Sequence, residues 1–198
     1  SNNALPTRKV ARQTGIVEAI AGKAEMIYFD EGPWVRVPLP GTVLKEVTVP
    51  LATLEADRLI YLANLKTHIL ADFSFGLKLA VGCMHPLERK LLHREHLQEK
   101  AVEINLAVPP DLTIIDGRVA FVTGGPAQGR RAEAGLILAG TNQLAVDVEA
   151  YRQLYEQKRQ LHLEETFVSD PFQMVQLEHA RQCGLGGLPW REYECIEL

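Results

Sequence analysis

Leu59-Ile60-Tyr61-Leu62-Ala63, running into Asn64-Leu65-Lys66-Thr67-His68, is the stretch on which the fold turns. Five consecutive apolar residues with no alternation read as a strand covered on both faces, which is the position of an inner strand in a parallel sheet. The polar residues 64–68 then read as a loop at its carboxyl end. Leu112-Thr113-Ile114-Ile115 repeats the pattern and stops at Asp116-Gly117, and Leu136-Ile137-Leu138-Ala139 stops at Gly140-Thr141-Asn142. Between and after these runs the spacing predicts helices over 69–81, 86–107 with a possible break, 143–160 behind a Thr141 or Asn142 cap, and 171–183. Strands alternating with helices give an α/β fold with a mostly parallel sheet flanked by helices.

Outward from this centre, residues 8–21 read as a helix and Met26-Ile27-Tyr28-Phe29 as a short buried strand. Pro33, Pro38, Pro40 and Pro50, interleaved with Val35, Val37, Val43, Val47 and Val49, predict short peripheral strands joined by turns. No repeat, low-complexity tract or interdomain linker interrupts the chain. Residues 1–198 are therefore expected to form a single α/β domain.

Composition narrows the class of function. Apolar residues make up 46% and charged residues 23% of the 198, ordinary values for a chain that folds around a core. With 21 Lys and Arg against 25 Asp and Glu, the net charge of −4 provides no basic field for nucleic acid. No apolar run is long enough to span a membrane and no secretory leader is visible, so a cytoplasmic location without a membrane partner is expected. Cys83, Cys183 and Cys195 are odd in number and form no C-x-x-C pair, which argues against a disulfide framework and against a self-contained zinc or iron–sulfur site.

In open α/β sheets, ligands sit beyond the carboxyl ends of the strands. That rule directs attention to Asn64, Lys66 and His68, where a lysine can hold an anion and an imidazole can exchange protons near neutral pH. The same residues also suit a solvated loop. Lys78 stands in Phe75-Gly76-Leu77-Lys78-Leu79-Ala80-Val81-Gly82, where its charge needs an aqueous cleft or a partner, unless its stem packs and its ammonium reaches water. On an unbroken helix His93, His96 and Lys100 share one side, and two imidazoles three residues apart can bind a metal, although such pairs are common without one. Asp116 and Asp147 are carboxylates near two other strand ends. Gly124-Gly125-Pro126-Ala127-Gln128-Gly129-Arg130-Arg131 offers amides and guanidinium groups to an anion, or is a plain loop.

Taken in order, NLKTH at 64–68, GLKLAVG at 76–82, His93, PDLTIIDG at 110–117, GGPAQG at 124–129, AGTNQLAVD at 139–147 and PFQMVQLEHARQCGLG at 171–186 resemble the domain-of-unknown-function 362 family, over its central and C-terminal portion from about Thr14 to Gly187. The resemblance implies an α/β fold, an unassigned activity and frequent association with iron–sulfur modules. It also implies that Lys66, His68, Lys78, His93, Asp116 and Asp147 occupy the family's polar positions. Relatives tend to carry Asp where this chain has Asn142, and they have a further N-terminal α/β portion that this chain is expected to lack.

Three functions fit. The first is an enzyme acting on a small anionic metabolite or cofactor, with Lys66, His68, Lys78 and Asp116 catalytic and Asn64, His93, Gly125, Gly129, Thr141 and Asp147 in contact with ligand. The second is a redox or metal-associated accessory to an iron–sulfur protein or domain, using His68 and His93, with or without a third imidazole, His96. The third is a noncatalytic binding module. Cofactor and metal identity stay open at this stage.

Overall fold

The computed structural model describes residues 6–164, 166–187 and 193–197. Its first expected helix is two, Thr7–Gln13 (α1) and Ile16–Ile20 (α2), because Gly15 between them adopts φ 74°, a left-handed value that closes the first helix at little cost for glycine. Met26–Phe29 is not a strand. Ile27 is exposed, Tyr28 is buried with the Arg8 guanidinium 4.3 Å from its ring centroid, and Phe29–Glu31 forms a 3-10 turn, so this segment is fixed by side-chain contacts instead of a ladder. Trp34–Pro38 (β1) and Glu46–Pro50 (β2) pair antiparallel in their own two-stranded sheet, the peripheral strands that the prolines predict, and Leu51–Glu55 (α3) follows.

The main sheet is built on Ile60–His68 (β3), which absorbs the residues expected to form a loop. It pairs in parallel with Leu112–Phe121 (β5) from Ile60↔Leu112 to Asn64↔Asp116, shifts register, and resumes at Lys66↔Phe121. Asp72–Phe73 (β4) returns antiparallel on one edge of β3. On the far edge of β5, Arg131–Ala132 (β6) and Leu136–Gly140 (β7) both run antiparallel to it. Among the described residues only the β3–β5 pair is parallel, so the sheet is mixed instead of mostly parallel.

The expected helix over 69–81 gives way to the β3–β4 turn, the short helix Gly76–Leu79 (α4) and a 3-10 turn over Ala80–Cys83. Asp72 at φ 58° reverses the chain so that Phe73 can pair with Thr67. The expected helix over 86–107 breaks into Pro86–Leu92 (α5) and Leu97–Glu103 (α6), with His96 at φ 52° between them, so His93, His96 and Lys100 do not share one helix face. Gln143–Gln160 (α7) follows as expected behind Asn142, whose side chain accepts from the Ala145 amide at 3.0 Å. Position 142 is therefore an N-cap, a role that Asn and Asp both fill. Pro171–Gln173 is a 3-10 turn ahead of Val175–Gln182 (α8), which shortens the helix expected over 171–183.

One face of the sheet carries the core. Leu65, Ile115 and Ala120 point into it with Phe73, Phe75, Leu144, Tyr151, Leu154 and Leu177 from the covering elements. Phe73 stacks on Phe75 with centroids 4.7 Å apart, and Tyr151 stacks on Phe167 at 5.3 Å. A second cluster, with Val47, Val49, Tyr61, Met84, Leu92 and Ile104, joins the β1–β2 hairpin to the same side. The opposite face is open, contrary to the reading of 59–63 as covered on both sides. Ile60 is 52% exposed, Leu62 69%, Val119 51% and Ile137 60%, so β3 alternates where its letters look uniformly apolar.

The fully buried carboxylate of Glu103 ties the hairpin to the helices. It accepts from the amides of Thr42 at 2.8 Å, Val43 at 3.1 Å and Leu44 at 2.6 Å, and from the Thr42 hydroxyl at 2.9 Å, while His179 Nε2 lies 3.0 Å away. Burial pushes its pKa up, but the Leu44 and Val43 amides, the Thr42 hydroxyl and His179 outweigh burial and hold it below the ordinary carboxylate range. Glu103→Gln leaves amides unsatisfied and is expected to cost about 2–4 kcal/mol in denaturant unfolding. On the sheet, Leu62→Ser should stay within about 0.5 kcal/mol of wild type, whereas Ile115→Ala should cost about 2–5 kcal/mol. Equal losses for these two would mean that the open face is covered.

Candidate functional site

The site grows from the last residue of β3. His68 is 8% exposed, and its Nδ1 accepts the Leu70 amide at 3.2 Å across the turn into β4. Its Nε2 lies 3.3 Å from Lys78 Nζ. Lys78 is the third residue of α4, and that helix is fixed by a buried carboxylate: Asp147, from α7, accepts the Gly76 amide on Oδ1 and the Leu77 amide on Oδ2, each at 2.9 Å. The close fit requires glycine, since a Cβ at Gly76 would meet Thr113 Cγ2 at 2.6 Å and Asp147 Oδ1 at 2.8 Å. A residue in α7 thus sets the start of the turn that brings Lys78 to His68.

Lys66 and His93 complete the group electrostatically. Burial lowers the Lys66 ammonium, and burial followed by the neighbouring Lys66 lowers Lys78 to about 8. Burial, then Lys78, Lys66 and His93, lowers His68 to about 4. His93 reaches the group from the C-cap of α5 and is itself exposed. Among the described residues no carboxylate forms an ion pair with Lys66, Lys78, His68 or His93. Asp72, which lines the hollow beside His68, accepts from Gln98 at 3.1 Å instead.

The 124–130 loop lies against this group. Gly125 is at φ 87°, and a Cβ there would collide with the Thr67 carbonyl, while one at Gly129 would collide with the Thr123 carbonyl. The Gly125 amide is spent on Gln128 O at 2.7 Å, so these glycines act in the first instance by letting the loop pack. Hollows open on both sides. One, of about 260 Å³, is lined by Thr67, His68, Asp72, Thr123, Gly124 and Lys158; the other, of about 290 Å³, by Asn64, Lys66, Val119, Phe121, Pro126 and Arg131. Among the described residues the buried Thr67 hydroxyl, at the edge of the first, lacks a hydrogen-bond partner.

Other expected site residues stand apart. Asp116 is held by its own neighbour Arg118, from Nε at 3.0 Å and Nη2 at 2.7 Å, and that pairing, with the Arg118 amide, lowers it to about 2. Asp147 is fully buried with both oxygens on amides, so it touches the site through α4 and not through ligand. Thr141 lies at the other end of the sheet: because β7 is antiparallel to β5, Gly140 sits level with Thr113 and Tyr61, six residues below Thr67, or roughly 20 Å. His96 lies beside Glu99, with Nδ1 3.3 Å from Oε1.

Of the guanidinium groups that the glycine loop offers, Arg131 lines the Lys66 hollow. One feature escapes a reading of the letters. Glu103, His179 and Cys183 bring ligand-type atoms within 4.8 Å of one another, which no local spacing reveals because Glu103 is 76 residues from His179. Glu103 is committed to the 42–44 amides, and burial followed by Glu103 raises the Cys183 thiol to about 11, so this group serves first as a structural clasp.

The shifts set opposing pH slopes. A folded His68 at about 4 binds fewer protons than its unfolded form, so its contribution to stability rises with pH from about 4 to 6.5. Burial raises Asp147 to about 7 against its two amides, so folded Asp147 binds more protons and stability falls as pH rises from about 4 to 7. In denaturant titrations at stepped pH, His68→Asn should expose the falling slope and Asp147→Asn the rising one. Identical profiles for the two variants would refute both assignments.

Set against known proteins, the chain is 33% identical over 100 residues to a thylakoid-associated protein of Synechocystis sp., an alignment covering 48% of this chain and 31% of that relative. No solved structure matches the chain. The match to a whole family is broader. It takes in residues 1–152, starting ahead of Thr14 and leaving α8 outside, and spans NLKTH, the α4 lysine and both aspartates. The chain therefore belongs to the family described as a domain of unknown function (DUF362).

Proposed function

We propose that this chain carries the anion-binding and proton-transfer groups of an enzyme that acts on a small acidic molecule. The observation that carries the reading is the convergence of Lys66, Lys78, His68 and His93 with no paired carboxylate among the described residues. Burying like charges together is unfavourable, and an anion reverses the sign of that interaction. Each pKa unit that Lys78 regains on binding corresponds to about 1.4 kcal/mol of interaction between anion and ammonium. In this reading Lys66 and Lys78 hold the anion, His68 exchanges the proton and His93 guards the solvent side. Asn64 and Arg131 extend the grip along the hollow beside Lys66.

A small anion is favoured over a metal because both His68 nitrogens already have partners and His93 and His96 do not share a helix. Among the described residues no helix is long and apolar enough to cross a membrane, and the setting we propose is cytoplasmic. Calorimetric titration with oxalate and with inorganic phosphate tests the site. Lys66→Ala and Lys78→Ala should each weaken binding by about tenfold or more, the worth of a charge-assisted hydrogen bond, with Lys45→Ala as the unaffected control. Undiminished affinity in both site variants would overturn the reading.

A further inference from the structure

The hydrogen-bond pattern around His68 constrains its partner. Its Nδ1 accepts the Leu70 amide at 3.2 Å, so the neutral ring carries its proton on Nε2. That N–H faces Lys78 Nζ at 3.3 Å. An ammonium has no lone pair to receive it, whereas a free amine does. The arrangement is complete when Lys78 is an amine that accepts from His68.

We propose that Lys78 is an amine nucleophile that forms an imine with the carbonyl carbon of a small 2-oxo acid, whose carboxylate lies on Lys66. This deepens the anion-site reading and rests on it. Three further features fit. Lys78 is partly exposed, so a substrate can reach it. Its lowered pKa, from burial and then the charge of Lys66, raises the free-amine fraction near neutral pH, the means by which a neighbouring cation activates a nucleophilic lysine. Its helix is held at Gly76 and Leu77 by Asp147, so the amine is presented on a fixed support.

The step balances without any further reactant. The Nζ lone pair attacks the carbonyl carbon, a C–N bond forms, and the C=O π pair moves to oxygen. Both Nζ protons end on that oxygen, which departs as water as the C=N bond forms. A 2-oxo acid suits the site because its carboxylate adjoins its carbonyl, and Lys66 is near enough to Lys78 for its charge to be felt there.

The test is reductive trapping. The whole chain is incubated with pyruvate or glyoxylate and sodium cyanoborohydride, and the modified lysine is located by peptide mass mapping. A single reduced adduct on Lys78, blocked by oxalate, is the expected result. Lys78→Arg, which keeps the charge and the fold, should abolish it, and Lys66→Ala should reduce trapping of pyruvate while sparing trapping of propanal, which has no carboxylate. If oxalate binds in a manner that depends on Lys66 but adducts are absent or scattered over surface lysines, the amine assignment falls and the anion site stands. If oxalate does not bind and no adduct forms on Lys78, both fall.

Discussion

The parallel ladder between β3 and β5 is the constraint on which the rest is built. It holds Ile60 through Asn64 against Leu112 through Asp116, then slips register before Lys66. Strand alternation above that ladder sends Leu65 and Ile115 into the core and leaves Ile60 and Leu62 on the open face. The turn after His68 brings Phe73 and Phe75 beneath Tyr151, and the same chain reversal carries α4, with Lys78, back to the end of β3. Core and site are therefore products of one strand and its return.

Two buried carboxylates divide the remaining work. Glu103 gathers the amides of the 42–44 loop and fastens the hairpin to α6 and α8. Asp147 gathers the first amides of α4 and fastens the lysine turn to α7. They differ in net electrostatics. Several donors, one of them an imidazole, outweigh burial at Glu103, whereas two amides do not outweigh it at Asp147. The basic cluster is the converse case, basic groups gathered in a partly dry place with no ion-paired acid among the described residues. Such an arrangement costs stability, a cost that an anion would offset.

The relationship with the thylakoid-associated protein covers under a third of that relative, so the shared part is a portion of the larger chain. The open sheet face, which carries Leu62 and Ile137, also carries Val119, and Val119 lines the hollow that holds Lys66 and Arg131.

The letters alone determined the α/β class, the peripheral strands and the α7 cap, because apolar runs, prolines and capping residues are local signals, and they picked out Lys66, His68 and Lys78 as candidates. They misplaced the boundaries of β3, since 64–68 reads as a polar loop yet still pairs with β5. They also gave no sign of strand direction. A strand's letters are the same whichever way it runs, and the reversed pairing of β7 is what carries Thr141 to the far end of the sheet. Asp116 looked equivalent to Lys66 from its place after an apolar run, but Arg118 claims it two residues later. Only the tertiary structure decided which basic groups meet, that Asp147 lies beneath them, and that Glu103 finds His179, because those encounters join residues 10 to 76 positions apart. Their free energy comes from burial and hydrogen bonding across the fold, which no window of sequence contains.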